Sequence, residues 1–238
     1  MTPDVLYLDN HLLVVAKPAG MLSQADDTGD LDVVTWAKDF LRREFDKPGN
    51  VFAGLVHRLD RPVGGAMVIA RTSKAASRLA EQFRQRTPEK RYLAMVEGRL
   101  DGSGRETDWL LKTRDPKRGT RVKRVRQGTD GAKRAVMTWT SRSVLGTRSL
   151  VEVGLETGRA HQIRVQLSGL GHPIVGDLRY GAEAPLGDGR GIALHATHLT
   201  IEHPTKRDRR TFTSAPPRVW GGAFDPAIRE IVRPSQSR

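Results

Sequence analysis

The stretch Val51-Phe52-Ala53-Gly54-Leu55-Val56-His57-Arg58-Leu59-Asp60-Arg61-Pro62-Val63-Gly64-Gly65-Ala66-Met67-Val68-Ile69-Ala70 decides how this chain is read. Apolar runs on both sides read as strands, and they frame a tight loop that holds one carboxylate, Asp60, between two arginines and before a proline–glycine turn. Strands hold such a loop rigidly while it stays open to a ligand, so the aspartate is placed for chemistry. An aspartate before such a turn serves equally well to bond backbone amides, and the stretch alone does not separate the two uses.

Outward from this loop, Val5-Leu6-Tyr7-Leu8 and Leu12 to Lys17 flank the turn pair Asp9-Asn10 and predict a hairpin. Apolar residues at 33, 36, 37, 40, 41 and 45 predict a helix that Lys47-Pro48-Gly49-Asn50 stops. Ser73 is the expected cap of a second helix with Ala76, Leu79, Ala80 and Phe83 on one face. Strands are expected at Arg91–Glu97, Ala135–Thr140 and Ser149–Leu155, with further strand and turn at Gly171–Asp177 and Ile192–Ile201. Ala160, Ile163, Leu167 and Leu170 predict an amphipathic helix in which Arg164 borders the buried face. Helices and strands mix without strict alternation, so the expected fold class is α+β, with a mixed, largely antiparallel central sheet, flanking helices and a catalytic cleft.

The 238 residues are ample for a core, and the reading is one domain over residues 1–238. Hydrophobic residues make up 37% and mean hydropathy is −0.48, with no apolar run long enough for a membrane span or a secretory signal. Cysteine is absent, so disulfides and thiolate metal sites are excluded, and a cytoplasmic monomer is the default expectation. The net charge is +13, and Lys112–Arg134 carries ten basic and two acidic residues, so eight of those charges fall in one segment. That segment is read as a basic hairpin or loop reaching toward phosphates, through Lys112, Arg114, Lys117, Arg118, Arg121, Lys123, Arg124 and Arg126. Residues 233–238 are read as a frayed tail. No histidine–carboxylate cluster has zinc spacing, and no phosphate-cradling loop, dinucleotide fingerprint or nucleophile elbow is present, so no metal and no cofactor are expected.

His57-Arg58-Leu59-Asp60, Lys90-Arg91-Tyr92-Leu93-Ala94 and Thr157-Gly158-Arg159-Ala160-His161-Gln162-Ile163-Arg164-Val165 resemble, in order and spacing, the signature segments of the RluA-type RNA pseudouridine synthases. Leu13–Gly20, Gly171–Asp177 and Tyr180-Gly181 extend the resemblance to nearly the whole of residues 5–204. It implies the pseudouridine synthase fold and isomerisation of uridine in rRNA or tRNA. It also implies roles: Asp60 as the essential carboxylate, Tyr92 stacking on the flipped base, Arg164 pairing with the aspartate, and Arg58 entering the RNA stack. Base flipping and aromatic stacking are the physics such an enzyme needs. Two departures stand out. Val63-Gly64-Gly65 replaces the usual Thr-Ser-Gly, and Gln166 stands where the family commonly has His. The chain also starts almost at the catalytic domain, so no small N-terminal RNA-binding module of the S4 type is expected. Two other classes compete: a non-catalytic RNA-binding or assembly protein that retains the fold, and a hydrolase using two carboxylates such as Asp60 and Asp177.

Overall fold

The computed structural model describes residues 2–115 and 119–233 and divides the chain into two compact units, each assembled from separate stretches of sequence. The first comprises residues 1–90, 195–216 and 232–238; the second comprises 91–194 and 217–231. Lys117 and Arg118 of the basic segment, and residues 234–238 of the tail, lie outside the described residues.

In the first unit, β1 (Asp4–Leu8) and β2 (Leu12–Lys17) form the expected antiparallel hairpin, and β2 pairs along its length with β4 (Gly64–Ala70). Every residue of β4 is buried, as are most of β2, which is why both read as continuous apolar runs and not as alternating ones. α1 (Val33–Glu44) starts at Asp32, whose carboxylate accepts from the Val34 and Thr35 amides, and ends at Phe45 before the proline–glycine break. The upstream run Val51–Val56 is strand only at β3 (Gly54–Leu55), paired with the far end of β4. α2 (Ser73–Gln85) is capped by Thr72 and not by Ser73, because the Thr72 hydroxyl is the one that reaches the Ala75 amide. β10 (Leu194–Glu202) meets β4 in parallel, His195 opposite Gly64 and Ala196 opposite Gly65, and pairs antiparallel with β11 (Arg209–Thr213). Leu12, Val14, Val68, Leu79, Leu199, Ile201 and Phe212 form its core.

The second unit is built on antiparallel pairs in the order β5 (Glu89–Glu97), β9 (Arg148–Leu155), β8 (Lys133–Leu145), β6 (Ser103–Asp115), β7 (Gly119–Val125). α3 spans Gln162–Gly169, a single 3-10 turn covers Leu178–Tyr180, and α4 spans Asp225–Ile231. Leu110, Val122, Ala135, Val165 and Tyr180 pack together beneath the hairpin end of this sheet. The fold is therefore α+β, with mixed, largely antiparallel strand pairing and helices packed on it.

α3 departs from its sequence reading in two ways. It begins at Gln162, after His161 has turned into the left-handed region at φ 52°. The stretch before it is laced to β8: Thr157 Oγ1 accepts from the Val136 amide, and Gln162 Nε2 donates to the Val136 carbonyl. Residues 162–167 are all buried, so Arg164 lies inside the packing and not at the border of an amphipathic face.

Candidate active site

Arg58 and Asp60 belong to the first unit, Tyr92 and Arg164 to the second. In the first unit the Asp60 loop is fixed through its backbone. The Val63 amide donates to the Asp60 carbonyl at 3.0 Å, closing the turn, and Ser23 clamps Leu59 by donating to its carbonyl at 2.7 Å and accepting from its amide at 3.1 Å. The Gly20 amide donates to the Arg61 carbonyl at 2.8 Å, and Arg61 Nε returns a bond to the Gly20 carbonyl at 3.1 Å. Leu59 is buried, Asp60 is half-buried and Arg58 is exposed. The backbone of the loop is therefore pinned from several sides, with Asp60 half-buried and Arg58 exposed.

Lys17, the last residue of β2, has no role assigned by the sequence motifs. The residue is 1% exposed, and its ammonium donates to the carbonyls of Pro18 at 3.1 Å, Met21 at 2.7 Å and Arg61 at 3.2 Å. Three carbonyl acceptors satisfy its three donors, which is what makes a buried ammonium tolerable. Burial pulls its pKa down to about 7, the neighbouring Asp60 carboxylate pulls it back up, and Arg61 pushes it down again. A lysine closing an otherwise apolar strand was the available signal.

Gly64 and Gly65 open β4 and are not part of the turn. At Gly64 a Cβ would lie 3.0 Å from His195 Nδ1, and at Gly65, with φ +122°, it would lie 2.3 Å from the Ala196 carbonyl oxygen. Val63 is buried and Gly64 has no side chain, so neither offers a hydroxyl to the loop. The hydroxyls that the family pattern would place there are thus replaced by backbone closeness to β10.

In the second unit, Tyr92 sits on β5 opposite Val153 and is buried, in a strand with both faces covered from Tyr92 to Val96. Arg164 is buried against Asp177: Nε donates to Oδ2 at 2.7 Å and Nη2 to Oδ1 at 2.9 Å, a bidentate pair. Both Asp177 oxygens are so engaged, which ties Asp177 to α3 as the anchor of the Arg164 guanidinium. The Arg164 guanidinium also lies 4.9 Å from the Tyr180 ring centroid. Asp177 immediately precedes the 3-10 turn that ends in Tyr180, which is why one short segment presents both a carboxylate and an aromatic face to the same arginine.

The basic segment is strand for most of its described length. Lys112 and Arg114 lie on β6, Arg121, Lys123 and Arg124 on β7, and Arg126 follows β7; all six are exposed. The register puts them on two faces. Lys112, opposite Val122, shares the buried Val122's side with Arg114 and Arg124, whereas Arg121 and Lys123 point the other way. Arg124 is spoken for, because its Nε donates to Asp108 Oδ1 at 2.8 Å.

Residues 11–169 match the family model described as RNA pseudouridylate synthase. The chain belongs to that family. It is 36% identical over 215 residues to the ribosomal large subunit pseudouridine synthase D of Xylella fastidiosa, covering 85% of this chain and 62% of that protein. It is 35% identical over 220 residues to the dual-specificity RNA pseudouridine synthase RluA of Haemophilus influenzae, covering 89% of this chain and 92% of that protein. The chain thus spans less than two thirds of the Xylella relative and nearly all of the Haemophilus one. Among solved structures it is similar in fold to human RNA pseudouridylate synthase domain containing 4, with a TM-score of 0.74 and 24% identity, over 96% of this chain and 92% of that one. The resemblance drawn from the sequence segments is thereby established at the level of the pseudouridylate synthase family and its fold. Among the described residues, no helix is long and apolar enough to cross a membrane.

Proposed function

We propose that this pseudouridylate synthase family member is an RNA pseudouridine synthase, an isomerase acting on uridines in structured ribosomal or transfer RNA. The observation that carries the reading is the Asp60 loop: its backbone is held by Lys17, Gly20 and Ser23 while the aspartate stays only half-buried. A carboxylate that must meet a reacting base needs this combination of rigidity and access. Asp60 is assigned as the essential carboxylate and Tyr92 as the stacking partner of the flipped base. Arg164 is assigned as the ion-pair partner of Asp60, and Arg58 as the side chain that fills the place the base leaves.

The reaction breaks N1–C1′ and joins C5 to C1′; a proton leaves C5 and one is taken up at N1. No atom is gained or lost and no electron is transferred, so the chemistry calls for no cofactor or metal. The charge of +13 and the exposed lysines and arginines of β6 and β7 support an RNA partner. A monomer working in the cytoplasm as one catalytic domain completes the proposal.

Asp60→Asn in the full chain tests it. On unmodified ribosomal and transfer RNA transcripts the wild-type protein forms pseudouridine with no change in RNA mass, and the variant forms none while binding the transcripts as tightly. A wild-type protein that binds these transcripts without modifying them establishes the alternative, a binding or assembly protein. Release of uracil or cleaved RNA also defeats the reading.

A further inference from the structure

The basic hairpin and Arg164 are joined through one side chain. The Val122 amide of β7 donates to Tyr180 Oη at 3.1 Å, and Tyr180 Oη meets His161 Nδ1 at 2.7 Å. Burial, the largest influence, raises the Tyr180 pKa and keeps the hydroxyl protonated, so it can accept from Val122 and donate to His161. The face of the same ring lies under the Arg164 guanidinium. Two further ties brace this arrangement. Asp108 on β6 accepts from Arg124 at one oxygen and from Gln166 of α3 at the other, each at 2.8 Å. Arg179 donates to the Thr120 carbonyl of β7. Gly169 near the end of α3 is what lets Arg124 lie across the helix, since a Cβ there would collide with its guanidinium.

Of these ties only Tyr180 touches both the hairpin and the arginine, one through its hydroxyl and the other through its ring. We propose that Tyr180 is a positioning residue that carries the seating of the β6–β7 hairpin on RNA to Arg164. The inference rests on the functional reading above, in which the hairpin meets phosphates and Arg164 serves the reaction. Phosphates drawn to Arg121 and Lys123 set the hairpin's place, the Val122 amide holds the Tyr180 hydroxyl to it, and the ring fixes the guanidinium plane. Gln166, the departure from the family pattern, works in the same direction: its amide braces Asp108, although its Oε1 is buried with no hydrogen-bond partner among the described residues.

Tyr180→Phe keeps the ring and removes the hydroxyl. On a transcript that the wild-type protein modifies, the single-turnover rate at saturating RNA falls about tenfold, while the Kd for that RNA changes by less than about threefold. Exchange of the Val122 amide speeds up in the free variant. An unchanged rate at saturation overturns the proposal, and so does a loss confined to Kd, because Tyr180 would then only support the binding surface. Should Tyr180→Phe fail to fold, the wild-type protein decides. Adding the transcript slows amide exchange in residues 119–125 and 178–182 together, and slowing in 119–125 alone overturns the coupling. A wild-type protein that modifies no transcript defeats the functional reading instead, so the two failures are distinct.

Discussion

Two histidines near the Asp60 loop are held neutral, and they make the fold sensitive to acid. His57 accepts the Val68 amide at Nε2 and stacks on Phe83 with centroids 4.5 Å apart, and burial, aided by the Lys90 charge, pushes its pKa down to about 3. His195 shares a bond with Ser214, and burial, aided by Lys17, takes it to about 3 as well. In the unfolded chain each titrates near 6.5, so between about pH 6.5 and 3 the unfolded state binds protons that the native state does not. The contribution is therefore fully present above about pH 6.5 and is lost as the pH falls toward 3. At pH 5 this costs about 2 kcal/mol per histidine. Urea unfolding at pH 7.5 and pH 5 measures it: the midpoint drops at pH 5, and His195→Gln narrows the gap between the two; equal midpoints at both pH values in the wild type refute the assignment. Gly65 gives a second prediction at this scale. Gly65→Ala meets both a positive φ and the β10 backbone, so unfolding measurements are expected to show a loss of about 3 kcal/mol. Asp60, Arg58, Tyr92 and Arg164 stand out as candidates in the sequence because their segments are short and local. The partners that hold them do not: Ser23 reaches Leu59 across 36 residues and Tyr180 reaches Val122 across 58, and no sequence period encodes such pairs.

Periodicity located the elements well where one feature governs them. α1 has its apolar stripe, its aspartate cap and its proline–glycine stop in agreement, and its bounds match to within a residue. α3 differs from its periodic pattern because Thr157 and Gln162 bond the Val136 backbone and fix the helix start at Gln162, and because packing on every side hides the stripe. The basic segment was legible as charge but not as two faces, since facing depends on the β6–β7 register. That register yields a prediction: Arg121→Ser with Lys123→Ser removes two outward charges, weakens RNA binding and reduces the magnitude of the log K against log salt slope by about 1.5. Arg124→Ser is expected to change the slope less and the hairpin's amide exchange more, because Arg124 is engaged with Asp108. An unchanged slope in the double variant marks the segment as solvated charge only.

For the molecule as a whole, composition marks two of the boundaries between the compact units poorly, and the reason is physical. Two of the four boundaries, Lys90/Arg91 and Leu194/His195, fall inside β5 and β10, where no change of composition and no linker marks them; the other two, Pro216/Pro217 and Ile231/Val232, lie after β11 and at the end of α4. The charge of +13, by contrast, is visible at once and bears on any polyanion. Raising salt from about 50 to 200 mM is expected to weaken RNA affinity by more than about tenfold while the rate at saturating RNA holds, as titration and single-turnover assays at both salts will measure. The parallel contact of β4 with β10 has a consequence for synthesis of the chain. The β1–β2 hairpin and β4 leave the ribosome early, yet the Gly64–Gly65 end of β4 rests on His195–Ala196, and the Asp9 turn is closed by His203 Nε2 at 2.8 Å from its carboxylate. The frame beneath Asp60 is thus completed only after the polypeptide has been translated past residue 203 and that stretch has cleared the exit tunnel. Nascent chains arrested short of that point carry the aspartate without its finished setting, however much of the rest of the chain has already emerged.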